Sequence, residues 1–282
     1  MKNIRYIIFI ISVVVTYSCE TIVNVDLPEH DPLIVVNSIG NPSNDWEMDV
    51  SLSKGLLEET EIQTVENAII EITEDGIIMP EFIFKNNKYT APNFKPKPNA
   101  LYELQVDVDG YETVTSNCII VEPVIIENVT TEEKQGEYEK ILDITITFTD
   151  HPNQENYYSI SMIDSKGNYP VWFSSNDILL GRKKGLMEDD NTFEGDLALF
   201  DDLILDGKSY SLKISVDYYD PSTSFIVVLS TLNKDYYKYL QTSKAQFEDK
   251  DNPFAEAVII HNNIKKGLGI FAGYSSSKYE IK

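Results

Sequence analysis

The chain has 282 residues, with 23 Lys+Arg against 46 Asp+Glu for a formal charge of −23. A surface this acidic repels phosphate backbones and anionic headgroups, which excludes nucleic acid and charge-driven attachment to lipid. Hydrophobic residues make up 42 % and there is no long low-complexity tract, so the chain is not a disordered one, and its length allows two domains.

Lys2 and Arg5 form a short basic start, and the apolar run Ile7–Val15 follows. That run is about half of the roughly twenty residues a helix needs to cross a bilayer. With Ser18 as the small residue before a cut, residues 1–18 read as a secretory signal. The junction resembles a bacterial lipobox, in which Cys19 would receive a diacylglyceryl group and become the new N-terminus. Thr16-Tyr17 departs from the usual pattern of Leu and a small residue, and ordinary cleavage near Ser18 is the plainer alternative. Lipidation at Cys19 is the expectation, because several acyl chains on one thiol hold a protein where a single chain binds only marginally. Losing residues 1–18 removes two bases and no acid, which leaves 21 against 46 and a formal charge of −25. Membrane attachment then depends on the lipid.

Residues 19–32 are short and polar, with Pro28 and Pro32 opposing a helix. They read as a lipid-anchored tether reaching roughly 3.3 Å per residue when extended. From Leu33 the chain breaks into short alternating runs separated by Gly, Pro, Asn and Asp, the mark of an all-β sandwich. Strands are expected at Leu33–Ile39, Met48–Ser53, Ala68–Thr73, Glu81–Phe84, Lys88–Thr90, Leu101–Val108 and Thr113–Val121. Asn86-Asn87 is a hairpin turn and Asp109-Gly110 another, since Asn and Gly tolerate positive φ. Tyr102, Leu104, Val106 and Val108 share one face and Glu103, Gln105 and Asp107 the other, as in a sheet packed on one side. The runs 68–72, 88–89 and 98–106 resemble the carboxypeptidase-regulatory or transthyretin-like module, which implies a seven-strand sandwich over residues 33–122.

Glu122-Pro123 is the expected boundary, with a second sandwich over 123–282 that is fibronectin- or Ig-like in outline. Its strands are expected at Val124–Val129, Ile141–Thr149, Tyr157–Ile163, Val171–Ser174, Asp202–Leu205, Tyr210–Tyr218, Ser224–Leu229, Ala257–Ile260 and near Tyr279. Residues 175–199 form a long polar loop, and loops of that length are usually functional or mobile. One helix is inserted at about 231–247, capped by Ser230 or Thr231, with Leu232, Tyr236, Tyr239 or Leu240, Ser243 and Phe247 on one face.

Catalytic and metal chemistry find little footing. His30, His151 and His261 are isolated, without metal-ligand spacing. No serine stands in a GxSxG elbow, and Cys118 lies in a strand-like run without a base nearby, as a small buried apolar residue would. The acid cluster Glu188-Asp189-Asp190-Asn191, with Glu194 and Asp196, lacks the ligand spacing of a calcium loop and reads as a solvated loop first and a calcium site second. Gly267, Gly269 and Gly273 have the wrong spacing for a dinucleotide fingerprint; small residues that let strands approach closely are the simpler account. No catalytic, cofactor or metal residue is therefore assigned. Seventeen tyrosines include the doublets 157–158, 218–219 and 236–237. On a strand one ring of each pair can be core and the other exposed, available to sugars or protein partners.

Asp26–Asn37, Asp150–Tyr158, Leu199–Asp202 and His261–Tyr274 together resemble the Bacteroidota lipoprotein family catalogued as domain of unknown function 4249. The resemblance implies an outer-membrane lipoprotein, often encoded beside TonB-dependent transporters, with no established reaction. It carries over no functional residue besides the acylated Cys19. The leading expectation is a non-enzymatic accessory to such a transporter in ligand capture or uptake, with a TonB-dependent barrel as its partner. A structural or adhesive surface protein is the alternative, and a hydrolase with its site in the 175–199 loop the third.

Overall fold

The computed structural model describes residues 31–55, 58, 60–136, 139–166, 169–181, 192–218, 224–249 and 258–281. The expected signal segment 1–18, Cys19, His30, almost all of the expected tether and the acid cluster 188–191 lie outside the described residues.

Alternation in the first part of the chain becomes β1 (Ile34–Gly40), β2 (Trp46–Leu52), β3 (Ile69–Glu74), β4 (Ile77–Ile78), β5 (Ile83–Lys85), β6 (Lys88–Ala91), β7 (Leu101–Asp107) and β8 (Val114–Ile119). Asn86 and Asn87 both take positive φ between Lys85 and Lys88, which pair directly, so the expected hairpin turn is present. Asp75-Gly76 makes a second such turn into β4, a strand the sequence pattern missed.

Next come β9 (Ile126–Gln135), β10 (Lys140–Thr149), β11 (Tyr157–Asp164), β12 (Phe173–Ser175), α1 (Ile178–Gly181), β13 (Phe193–Gly195) and β14 (Leu197–Asp201). The chain continues through β15 (Ser209–Tyr218), β16 (Phe225–Leu232), α2 (Lys234–Asp249) and β17 (Leu268–Ile281). The segment 175–199 is therefore not one loop, since α1, β13 and the start of β14 fall within it. Residues 202–205, expected as a strand, form hydrogen-bonded turns instead: Leu205 N donates to Asp202 O at 2.7 Å and Lys208 N to Leu205 O at 3.0 Å. The ladder to β11 stops at Asp201, and the Asp202 carboxylate accepts from Asn156 N at 2.9 Å, turning the chain out of the sheet. Val258–Ile260 is not a strand either.

Three sheets result, ordered β14-β11-β16-β17-β1-β2-β6-β5, β13-β12-β15-β10-β9 and β4-β3-β7-β8. The fold is an all-β sandwich. Two apolar cores form, one mainly from side chains between Ile34 and Ile120 and one mainly from side chains between Val124 and Leu229. The longest sheet runs through the division expected after Glu122, and Ile264 and Phe271 join the first core from beyond it.

β17 is the reason. Its residues 268–273 pair in parallel with β1, and residues 274–281 pair antiparallel with β16. Phe271 enters the first core and stacks on Trp46 at 5.3 Å, with Tyr102 edge-on to the same indole at 4.8 Å. Ile281 closes the second core. The parallel half needs glycine: a Cβ on Gly269, at φ +113°, would lie 2.0 Å from Val36 O, and one on Gly273 would lie 2.0 Å from Ile120 Cδ1. The crossing segment is sewn to β17 and to its neighbour β16 by side chains. Ser275 Oγ donates to Val121 O at 2.6 Å, Ile126 N donates to Ser277 Oγ at 3.0 Å, and Val124 N donates to Thr231 Oγ1 at 2.9 Å. The last two bonds explain why β9 starts at Ile126 and not at Val124.

Candidate functional site: a hydroxyl-lined groove at the strand switch

β1 ends with Gly40 opposite Gly273, and β16 ends with Leu232 opposite Tyr274, so two strands stop where β17 changes partner. Immediately after Leu232 the chain must turn, and Asn233 does three jobs there. Its N–H donates to Gly273 O at 3.0 Å, its side chain accepts from Tyr236 N at 2.9 Å, and its carbonyl accepts from Tyr237 N at 3.0 Å. Asn233 is therefore the N-cap of α2, in place of the expected Ser230 or Thr231, whose side chains bond elsewhere. The helix is fixed to β17 at its first turn. A second latch comes from Asp235, which lies 2.7 Å from His261 Nε2 and accepts from Asn263 Nδ2 at 3.3 Å.

This registration decides the tyrosine doublet. Tyr237 is buried, with its ring 4.7 Å from that of Tyr157, and Tyr236 lies over Tyr274 at 5.5 Å. Desolvation by burial pushes the Tyr236 hydroxyl up to about 12, aided by the neighbouring Tyr274 and Tyr239. Phe247, expected on the packed face, is 68 % exposed because the buried stripe is rotated towards Tyr237.

The sheet beneath carries small side chains. Tyr158, Ile160 and Met162 point into the core, which leaves Ser159 and Ser161 on the outer face. Ser159 stands opposite Ser230, and Ser230 opposite Ser276, so one row of hydroxyls crosses three strands over ~10 Å. On one side of that row are Leu232 and Tyr274, and on the other Ser161, Val228 and Lys278. Tyr236 and Leu240 of α2 wall the trough, as do Asn41 and Asn44 from the β1–β2 turn, and its deeper part encloses about 290 Å³. It opens onto a shallower hollow of about 480 Å³ bounded by Asp45 and Glu47.

Low charge together with uncommitted hydroxyls separates this groove from larger hollows. The hollow over β10 and β15 is about 810 Å³, but Glu132, Lys134, Asp143, Asp177 and Lys213 line it and several of its polar side chains pair among themselves. Tyr210 donates to Asp177, Ser215 to Asp143, and Lys134 pairs with Asp143. The cleft beside His151 has Glu155 held by Lys234 and Glu122 held by Asn99, though the buried His151 Nε2 has no partner among the described residues. In the groove, Ser230 and Ser276 bond to each other at 2.9 Å. The hydroxyls of Ser159, only 5 % exposed, and of Ser161, Tyr236 and Tyr274 bond to no side chain or backbone group among the described residues.

The other residues singled out by sequence fall as follows. Cys118 is buried in the first core, and that burial pushes its thiol up, so it is no nucleophile. Asp150, 2 % exposed, accepts from Tyr158, Asn156 and Gly207, which joins the 150–158 and 199–207 segments under the second core. Burial raises the pKa of nearby Asp202, with Asp150 adding to the effect. Glu194 and Asp196 flank Gly195 at a sheet edge, and among the described residues no group of three or more His, Cys, Asp or Glu is placed to hold a metal. The serine row had no sequence signal, because it exists only once three strands are in register.

By architecture and site the molecule is an all-β sandwich that presents a polar groove on an outer sheet face. The family profile described as "Domain of unknown function (DUF4249)" matches residues 20–280, and the chain belongs to that family. No curated protein matches the chain. Among solved structures, the crystal structure of Salmonella alpha-2-macroglobulin reacted with methylamine is similar at 11 % identity and a TM-score of 0.26. That overlap covers 73 % of this chain and 14 % of the other, and at that score it carries nothing over.

Proposed function

We propose that this chain is a non-enzymatic outer-membrane lipoprotein, held by acyl chains on Cys19, that captures a ligand for a TonB-dependent transporter. The observation that carries the reading is the groove at the strand switch, which joins a rigid floor to hydroxyl and aromatic groups not used by the fold. The N-terminal pattern through Cys19 and membership of the family over residues 20–280 agree with it. The acidic surface agrees as well, because it leaves lipid as the means of attachment.

Crosslinking in intact cells followed by mild detergent extraction of a tagged copy tests the partnership. A membrane barrel recovered with the protein supports the reading, and a clean monomer removes it. Mass spectrometry of the mature N-terminus tests the anchor, and an unacylated residue there removes both the anchor and the location. An adhesive surface protein is the second reading, favoured by Tyr169 and Trp172, which are 71 % and 69 % exposed on the connection between β11 and β12. Deletion that abolishes attachment and leaves uptake unchanged would favour it.

A further inference from the structure

We propose that the groove between α2 and the β1–β2 turn binds an uncharged saccharide, an inference that rests on the capture reading above and names its ligand class. Three features converge on that chemistry.

The first is charge. The chain is 24 % charged, yet of the fourteen side chains around the deeper part only Lys278 carries a charge. An anionic or cationic ligand would need a partner of opposite sign fixed in the floor, and the floor offers hydroxyls and amides. A lone lysine at the end of a strand can donate to a neutral oxygen as readily as to an anion.

The second is hydrogen-bond type. A hydroxyl both donates and accepts, and it rotates to suit its partner. A row of such groups matches a ligand whose own edge is a row of hydroxyls. Ser159 is nine-tenths buried, faces the trough and its hydroxyl has no protein partner among the described residues, so that hydroxyl is directed at whatever occupies the groove. The Asn41 side-chain oxygen accepts from Ser43 N at 2.7 Å, which orients its amide nitrogen as a donor at the rim.

The third is the aromatic wall. Tyr236 and Tyr274 stand 5.5 Å apart with their planes 33° from parallel. They offer apolar ring faces with hydroxyls at the tips, beside Leu232 and Leu240. Sugar rings have C–H faces and hydroxylated edges, and a site that combines aromatic faces with polar groups satisfies both. The small serine side chains make the trough deep enough for a ring, because bulkier residues on the same row would fill it.

Full-length protein in a detergent without a sugar headgroup is titrated with neutral mono- and disaccharides, and with glucuronate as a charged counterpart. Binding is followed by saturation-transfer NMR and calorimetry. A neutral saccharide is expected to bind, with glucuronate weaker. Tyr236→Ala should weaken binding about tenfold by removing the wall. Ser161→Leu sits at a half-exposed strand position, keeps the fold and obstructs the trough, so it should weaken binding to a similar degree. Ile77→Ala, at an exposed position of β4 in another sheet, should leave binding unchanged. No binding by any neutral saccharide overturns the proposal. So does binding that survives both groove variants, or binding lost in Ile77→Ala. Saccharide binding without barrel co-purification would remove the transporter role and keep the groove, and the converse would do the reverse.

Discussion

The two halves of β17 are one continuous strand built for opposite purposes. Residues 268–273 have Gly269 and Gly273, run parallel to β1 and bring backbones together without room for a Cβ. Residues 274–281 run antiparallel to β16 and carry hydroxyls on both faces. Ser275 and Ser277 hold the crossing segment, and Ser276 joins the groove floor. The comparison teaches that the first half is constrained by space and the second by hydrogen bonds. The groove lies at the point where one regime gives way to the other.

The largest effect should come from breaking the spatial half. Gly269→Ala forces a Cβ into the Val36 carbonyl at a backbone conformation that L side chains rarely adopt. It should cost more than about 3 kcal/mol by denaturant unfolding, or prevent folding altogether. Gly273→Ala meets chiefly the end of the Ile120 side chain, which can shift, with Gly40 O a tighter-than-usual 3.2 Å away, so a loss of about 1–3 kcal/mol is expected. Combining it with Ile120→Val, which removes the clashing methyl, should recover part of that loss in a double-mutant cycle; strict additivity would contradict the geometry.

The hydrogen-bonded half should respond less. Ser275→Ala and Ser277→Ala should each cost about 1 kcal/mol, and the second should speed hydrogen exchange at the Ile126 amide. If neither changes stability or exchange, the crossing segment is held by packing alone.

The smallest effect at neutral pH concerns Tyr236. Its hydroxyl titrates at about 12 in the folded protein against 10.0 as the ordinary value. The folded state keeps the proton longer, so the associated stability is complete below pH 10 and is lost as pH rises through about 12. Tyr236→Phe should flatten the fall in stability over that window and remove one late-titrating group from the phenolate absorbance curve.

Much of the strand pattern was legible in the sequence, for local reasons. Asn86-Asn87 and Asp109-Gly110 mark turns because few other residues accept positive φ. Tyr102, Leu104 and Val106 alternate with Glu103 and Gln105 because one sheet face is wet. Errors came where a distant partner decided the outcome. Residues 202–205 have strand-like composition, but Asn156 captures the Asp202 carboxylate. Thr231 is a good cap by type, but its hydroxyl bonds Val124 and Asn233 takes the role. The serines of the groove floor lie on three strands far apart in the chain, so no local pattern could join them.

By itself the sequence determined the acidic character and the all-β class, since charge, period-two alternation and turn residues are properties of near neighbours. Only the tertiary structure decided that the last strand spans both cores and that Ser159, Ser230 and Ser276 share one row. Strand pairing is a long-range choice, settled by which backbones can approach and which faces can be buried together.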